Sequence, residues 1–126
     1  MAKAKILIVD DDLDLIEGTK AILESQSYEV LSATSGKEGL EKLQQEKPNL
    51  LILDVMMDSD LDGYNNLHKI KEIPEIKDIP IIMLTGMAGE LGVNLREATE
   101  DFDNVVFYDK PINPQALLEQ IEALLK

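Results

Sequence analysis

Residues 50–57 read Leu-Leu-Ile-Leu-Asp-Val-Met-Met. Four apolar residues run without interruption into one carboxylate, Asp54, and this pattern is typical of a strand buried on both faces of a parallel sheet. Such a strand carries its last residue to the carboxyl end of the sheet, where ligands of α/β proteins bind. Alternatively, an acid after an apolar run only begins a loop. The remainder of the chain decides between these interpretations.

The composition restricts the class of protein and its partners. The chain has 126 residues, which suits a single domain over residues 1–126, with a core that buries roughly two-thirds of the unfolded surface. It contains no cysteine, so disulfides, thiolate metal sites and cysteine nucleophiles are excluded. A net charge of −13 disfavours direct binding to nucleic acid or to an anionic membrane, because their phosphates are repelled. Proteins and cations are the expected partners.

Membrane and export signals are not evident in the sequence. No apolar run approaches the roughly 18 residues that span a bilayer. The N-terminal residues 1–9 lack the longer apolar region and the cleavage site of a signal peptide. We therefore expect a cytoplasmic location.

Strand-like and helix-like segments alternate along the chain. Short apolar runs predict strands over residues 5–9, 29–33, 50–54, 81–84 and 104–108. Helical spacing predicts helices over residues 13–25, 35–46, 64–72, 86–99 and 114–125, with Asp12 and Asn113 as N-caps. In the first helix the predicted apolar positions are Leu13, Ile16, Ala21 and Leu23. Five strands alternating with five helices predict an α/β domain whose parallel sheet is covered on both faces.

Right-handed crossovers bring the carboxyl ends of all these strands to one side of the sheet, which we call the carboxyl edge. The polar residues expected there are Asp10, Asp11, Asp12, Asp54, Thr85, Gly86, Asp109 and Lys110. Counting only Asp10, Asp11, Asp54 and Lys110, the edge has three negative charges and one positive charge. It should therefore attract a divalent cation, and oxygen ligands on a rigid scaffold favour Mg²⁺.

Four short motifs in this order resemble the receiver domain of two-component response regulators, over essentially the whole chain. They are Ile-Leu-Ile-Val-Asp-Asp-Asp at residues 6–12, Leu-Ile-Leu-Asp at 51–54, Leu-Thr-Gly at 84–86, and Lys110-Pro111. The resemblance implies a single-domain, doubly wound (βα)5 fold with a parallel sheet of flavodoxin-like strand order 2-1-3-4-5. It also implies a phosphoprotein that takes part in a two-component or phosphorelay system.

The same resemblance implies the metal and phosphorylation sites. Asp54 would accept a phosphoryl group from a sensor histidine kinase or a histidine phosphotransfer protein. Asp11, Asp54 and the backbone carbonyl of Met56 would bind Mg²⁺ directly, and Asp10 would act on it mainly through water. Because carboxylate and phosphoryl donor are both anionic, the site must neutralise charge before they react.

Further residues would contact the phosphoryl group and transmit its presence. Thr85 and Lys110 would contact phosphoryl oxygens, and Gly86 is small enough for its N–H group to face one. Phe107 would change rotamer together with Thr85 and so alter the surface formed by the fourth helix, the fifth strand and the last helix. A downstream protein or a fused output domain would read that change. For Thr85 and Lys110 the plain alternatives are a strand-ending residue and a solvated loop lysine.

The loop after Asp54 departs from the family pattern. It is one residue longer than usual and has Asp58 where the family commonly has proline. Its residues 58–63, Asp-Ser-Asp-Leu-Asp-Gly, match the first half of an EF-hand loop, but Lys69 stands where a bidentate glutamate is required. We therefore expect an acidic, solvated loop that attracts cations only loosely.

A small Mg²⁺-dependent phosphohydrolase of the haloacid-dehalogenase type is the alternative function. That class also uses an aspartate nucleophile with a hydroxyl residue and a lysine at strand ends. It requires a second aspartate two residues after the nucleophile, where this chain has Met56, and its acidic pair comes last in the sequence. We therefore expect that the protein is not an enzyme. Its only reactions would be self-phosphorylation from a phosphodonor and slow self-hydrolysis of the acyl phosphate.

Overall fold

The computed structural model describes residues 4–54, 69–70, 72–74, 76, 78–85, 105–109 and 113–125, and only the backbone of Asp54, Thr85 and residues 107–109. Within this part of the chain, five strands form one parallel sheet in the order β2-β1-β3-β4-β5. The strands are β1 (Lys5–Val9), β2 (Glu29–Ala33), β3 (Leu50–Asp54), β4 (Ile81–Thr85) and β5 (Val105–Asp109). The predicted fold class and strand order are confirmed.

Three helices are described in full: α1 (Leu13–Ser25), α2 (Gly36–Glu46) and α3 (Pro114–Leu125). Residues 69 and 70 are also helical, within the predicted helix 64–72. The rest of that helix, apart from residue 72, which lies in a turn, and the whole of the predicted helix 86–99 lie outside the described residues.

The sheet separates two apolar clusters, because successive side chains of a strand point to opposite faces. Leu7 and Val9 of β1 belong to one cluster, together with Leu43 of α2. Ile6 and Ile8 belong to the other cluster, which also contains Ile16 and Leu23 of α1 and Leu117 and Ile121 of α3. The continuous apolar run of β3 is divided in the same way, so it belongs to a strand buried on both faces.

Each described helix begins with a side-chain cap. Asp12 caps α1, Ser35 caps α2, and Asn113 accepts hydrogen bonds from the backbone N–H groups of Gln115 and Ala116 at the start of α3. Pro114 is the first residue of α3, where its missing N–H group costs nothing. The predicted caps Asp12 and Asn113 are confirmed, whereas Ser35 precedes its helix and is not part of it.

The predicted apolar stripe of α1 is wrong at two positions. Leu13 is 61% exposed, and Ala21 is exposed as well. Ile16 and Leu23 are buried as predicted, and Thr19 lies buried between them. The face of α1 that packs on the sheet is therefore set by Ile16, Thr19 and Leu23.

Candidate functional site

Strand pairing brings two acidic segments together at the carboxyl edge. Val9 of β1 pairs with Leu53 of β3, so Asp10 and Asp54 follow paired residues on neighbouring strands. Neighbouring strands of a sheet lie about 4.8 Å apart. The structure therefore places these two residues side by side, although they are far apart in the sequence.

The same edge includes the ends of β4 and β5. Asp54 pairs with Leu84, and Thr85 pairs with Asp109. Thr85 and Asp109 are each the last residue of a strand, whereas the sequence predicted that each strand would end one residue earlier. Thr85 is thus one pairing step beyond the level of Asp54, on the adjacent strand.

Asp10 is buried and held by two hydrogen bonds at the end of β1. It is only 1% exposed. Its backbone N–H group donates to the carbonyl oxygen of Ala33 on β2 at 3.0 Å. Its Oδ1 atom accepts a hydrogen bond from the backbone N–H group of Asp12 at 2.9 Å. A carboxylate held in this way has a fixed position relative to the sheet.

The next two residues differ from Asp10 and from each other. Asp11 and Asp12 are both exposed. Asp12 Oδ1 accepts hydrogen bonds from the backbone N–H groups of Asp14 at 3.0 Å and Leu15 at 3.2 Å. Asp12 therefore directs its carboxylate to the start of α1, where the helix dipole favours negative charge. This capping role separates Asp12 from the proposed metal ligands Asp10 and Asp11.

The loop between β2 and α2 has side-chain hydrogen bonds of its own. Glu38 Oε1 accepts a hydrogen bond from the backbone N–H group of Thr34 at 2.8 Å. Ser35 Oγ accepts one from the backbone N–H group of Glu38 at 3.2 Å. The two bonds hold the start of α2, and neither of them reaches Ala33 or Asp10. The spacing Ser35-Gly-Lys-Glu38 is a capping-box signal in the sequence, although Glu38 accepts from Thr34 and not from Ser35.

Several predicted site residues lie outside the described part of the structure. Met56, Gly86, Lys110 and the acidic loop at residues 58–62 are not described, and neither are the side chains of Asp54, Thr85 and Phe107. Among the described side chains, no three His, Cys, Asp or Glu residues are grouped to hold a metal ion. The described ligand candidates are therefore Asp10 and Asp11.

The chemistry of these candidates suits Mg²⁺. Both supply carboxylate oxygens, which hard divalent cations prefer, and neither sulfur nor imidazole lies among the described residues at this edge. Asp10 is buried, and Asp11 beside it is exposed. These two carboxylates could hold a hydrated divalent cation at the carboxyl edge.

A five-stranded parallel sheet of order 2-1-3-4-5, with acidic residues at its carboxyl edge, defines a flavodoxin-like α/β protein. Residues 6–122 match the family model described as the response regulator receiver domain. The chain belongs to this family, and its role is that of a receiver domain in two-component systems.

Relatives of known class agree with this assignment. The chain is 39% identical over 124 residues to a probable transcriptional regulator, ycf27, of Cyanophora paradoxa. It is 33% identical over 131 residues to the transcriptional regulatory protein CpxR homolog of Haemophilus influenzae. Each match covers 98% of this chain and 49% or 51% of the relative, so the chain spans about half the length of these two relatives.

Solved structures of similar length show the same architecture. The chemotaxis response regulator CheY4 of Vibrio cholerae matches with a TM-score of 0.83 and 29% identity, over 97% of this chain and 98% of that chain. A CheY-like receiver domain protein of Methanospirillum hungatei matches with a TM-score of 0.82 and 35% identity, over 96% and 92% of the two chains. These relatives are regulators, so the haloacid-dehalogenase alternative is not supported. In the described part of the chain, no helix has the length and hydropathy required to cross a bilayer.

Proposed function

We propose that this domain is a phosphoacceptor and that Asp54 is the residue that becomes phosphorylated. The observation that carries the proposal is the pairing of Val9 with Leu53, which brings Asp54 next to the buried Asp10 at the carboxyl edge. Asp54 is also the carboxylate at the end of the central strand of a receiver-family sheet. A sensor histidine kinase or a histidine phosphotransfer protein would supply the phosphoryl group.

The transfer exchanges one phosphorus bond for another. A carboxylate oxygen of Asp54 forms a bond to phosphorus while the bond from phosphorus to the donor imidazole nitrogen breaks, and the imidazole keeps the electron pair. The product is an acyl phosphate on Asp54. We expect slow hydrolysis of this acyl phosphate and no turnover of small substrates, so the domain would act as a switch and not as an enzyme.

The proposed cation is Mg²⁺, bound by Asp11, Asp54 and the backbone carbonyl of Met56, with Asp10 acting mainly through water. When bound, Mg²⁺ neutralises part of the negative charge that otherwise keeps the carboxylate and the phosphoryl donor apart. Asp10 supports this proposal because it is buried in a fixed position one residue from Asp11. Lys110 would neutralise the rest of this negative charge.

The proposed switch uses the neighbouring strand ends. Thr85, Gly86 and Lys110 would contact the phosphoryl oxygens, and Phe107 would change its rotamer when Thr85 moves. Thr85 is the last residue of β4 and Phe107 lies on the adjacent β5, where it pairs with Met83. The affected surface comprises β5, α3 and the predicted helix 86–99. A downstream protein or a fused output domain would read this surface, in the cytoplasm and without direct contact of this domain with nucleic acid or membrane.

Acetyl phosphate is a small phosphodonor that tests the phosphoacceptor without a kinase. The wild type, incubated with acetyl phosphate and Mg²⁺, should gain one phosphoryl group by intact-mass spectrometry. Asp54→Asn should gain none, because an amide does not attack phosphorus at a useful rate. The wild type with a chelator should also gain none. An adduct on Asp54→Asn would assign the phosphoacceptor to another residue.

A further inference from the structure

The turn from β1 into α1 is fixed by its third aspartate. The carboxylate of Asp12 accepts the backbone N–H groups of Asp14 and Leu15, at 3.0 and 3.2 Å. The backbone N–H group of Asp12 donates to Asp10 Oδ1 at 2.9 Å. One residue thus holds both the first turn of α1 and the carboxylate of Asp10.

Asp11 lies between these two anchored residues. On one side, Asp10 is bound through its backbone to Ala33 of β2 at 3.0 Å and is 1% exposed. On the other side, Asp12 is bound to α1 through its side chain, and its carbonyl oxygen accepts the backbone N–H group of Ile16 at 3.0 Å. With both neighbours held, the backbone at Asp11 has little freedom, although its side chain is exposed.

We propose that Asp12 is a positioning residue for the Mg²⁺ site, and that its N-cap hydrogen bonds hold the Asp10–Asp11 segment in the geometry that binds the ion. The proposal rests on the proposed function of this edge as a Mg²⁺ site. Asp12 itself would not bind the ion, because its carboxylate is engaged at the start of α1. Removing a hydrogen-bond partner that orients a metal ligand commonly lowers metal affinity by about 10–100-fold.

A second explanation for any effect of Asp12 is its negative charge. An exposed carboxylate near a divalent cation, but not bound to it, raises the affinity through water by roughly tenfold at most, and salt reduces this effect. The two explanations predict opposite results for two substitutions. Asp12→Asn keeps the cap and removes the charge, whereas Asp12→Glu keeps the charge and removes a good N-cap.

The test is Mg²⁺ titration by isothermal calorimetry in buffer of physiological salt. We expect Asp12→Asn to bind Mg²⁺ within about threefold of the wild type and Asp12→Glu to lose about tenfold or more in affinity. Asp12→Ser should retain affinity as a second capping variant, and Asp12→Ala should lose it. Asp12→Glu binding as tightly as the wild type, or Asp12→Asn losing more affinity than Asp12→Glu, would overturn the proposal.

Two further measurements separate positioning from general loss of stability. Ser35→Ala removes the cap of α2 and is the matched control: it should lower the thermal midpoint and leave Mg²⁺ affinity within about twofold. In Mg²⁺-free protein, the Asp12 amide should exchange slowly with solvent in the wild type and in Asp12→Asn, and faster in Asp12→Glu. Unchanged exchange in Asp12→Glu, or an equal loss of affinity in Ser35→Ala, would contradict the positioning role.

Failure of the proposed function gives a different result. A wild type that neither binds Mg²⁺ nor accepts a phosphoryl group from acetyl phosphate would overturn both proposals. If the wild type binds Mg²⁺ and accepts a phosphoryl group, and Asp12→Glu does so equally well, only the role of Asp12 is overturned.

Discussion

At the level of single residues, the burial of Tyr28 makes the stability of the protein depend on pH. It lies directly before β2 and is 6% exposed. Burial raises the pKa of its phenol above the usual 10.0, and the negative charge of Glu122 on α3 raises this pKa further. The folded protein therefore favours the neutral phenol more strongly than the unfolded chain does.

We expect this group to make the protein lose stability in alkaline solution. Below the unfolded pKa of about 10 the phenol is protonated in both states, so its contribution is fully present. As the pH rises from there through the raised folded pKa, the unfolded chain releases its proton first and the free energy of unfolding falls. Urea unfolding measures this from about pH 8 to about pH 11. The free energy of unfolding should fall less steeply with pH for Tyr28→Phe than for the wild type.

Glu122→Gln provides the matched variant for this prediction. It removes the smaller cause of the pKa shift and leaves the phenol buried. The alkaline loss in its free energy of unfolding should therefore lie between those of the wild type and Tyr28→Phe. Identical declines in all three proteins would show that Tyr28 does not control alkaline unfolding.

The errors of sequence interpretation at this scale have a geometric cause. Ala21 follows Ile16 by five positions, which places it about 140° around a helix of 3.6 residues per turn. Thr19 follows Ile16 by three positions and precedes Leu23 by four, so it shares their face, but its hydroxyl group excluded it from an apolar pattern. Leu13 is the first residue of α1, and its side chain is exposed.

At the level of elements, α2 and β1 approach each other so closely that one glycine is required. A Cβ atom added at Gly39 would lie 2.6 Å from Val9 Cγ2, well inside van der Waals contact. Val9 cannot easily turn away, because valine is restricted at χ1 and its side chain is buried at 2% exposure. Gly18 on α1 differs: an added Cβ atom would meet nothing within 4 Å.

We predict opposite effects of alanine at these two helical glycines. Gly18→Ala should raise the free energy of unfolding by about 0.5–1 kcal/mol, because alanine loses less backbone entropy in a helix. Gly39→Ala should lower it by about 1–3 kcal/mol, because α2 must move away from the sheet. Urea unfolding at neutral pH measures both values, and Gly18→Ala is the control for the general effect of alanine in a helix.

A double-mutant comparison assigns the cost to Val9. Gly39→Ala should lower the free energy of unfolding by less in a Val9→Ala background, because the clashing γ-carbon atoms of Val9 are gone. An equal loss in both backgrounds would place the strain elsewhere, and a stabilising Gly39→Ala in the wild type would show that α2 repacks freely.

The extents of the elements were predictable where local chemistry determines them. Asp12 and Asn113 were predicted as N-caps because an N-cap needs only a suitable side chain before a helical pattern. The ends of β4 and β5 were displaced by one residue because strand ends depend on pairing between distant segments. Thr85 is part of β4 since it pairs with Asp109, and no local pattern contains that information.

At the level of the whole molecule, alternation of strands and helices predicts a parallel sheet but not its strand order. The order 2-1-3-4-5 came from the family resemblance, and it determines that β1 and β3 are neighbours. The meeting of Asp10 with Asp54 follows from that order. The hydrogen bonds that fix Asp10 could not be predicted, because they connect it to a backbone carbonyl on β2 and to the backbone of Asp12.

The charge of the whole chain leads to the last prediction. The chain has 25 acidic and 12 basic residues, and the resulting self-repulsion destabilises the compact state. Sodium chloride should raise the free energy of unfolding by screening this repulsion. Mg²⁺ at matched ionic strength should add a saturable increase in the free energy of unfolding, about 1.4 kcal/mol at ten times its dissociation constant, because the proposed site exists only in the folded state.

Two substitutions that each remove one exposed negative charge separate screening from binding. Asp11→Ala should retain the response to sodium chloride and lose the additional Mg²⁺ increment, because it removes a proposed ligand. Glu17→Ala, on the exposed side of α1, should retain both responses. Urea unfolding of the three proteins in each salt gives the increments directly. If both variants keep the same Mg²⁺ increment, the ion acts on the overall charge of the chain, and the carboxyl edge has no specific site that includes Asp11.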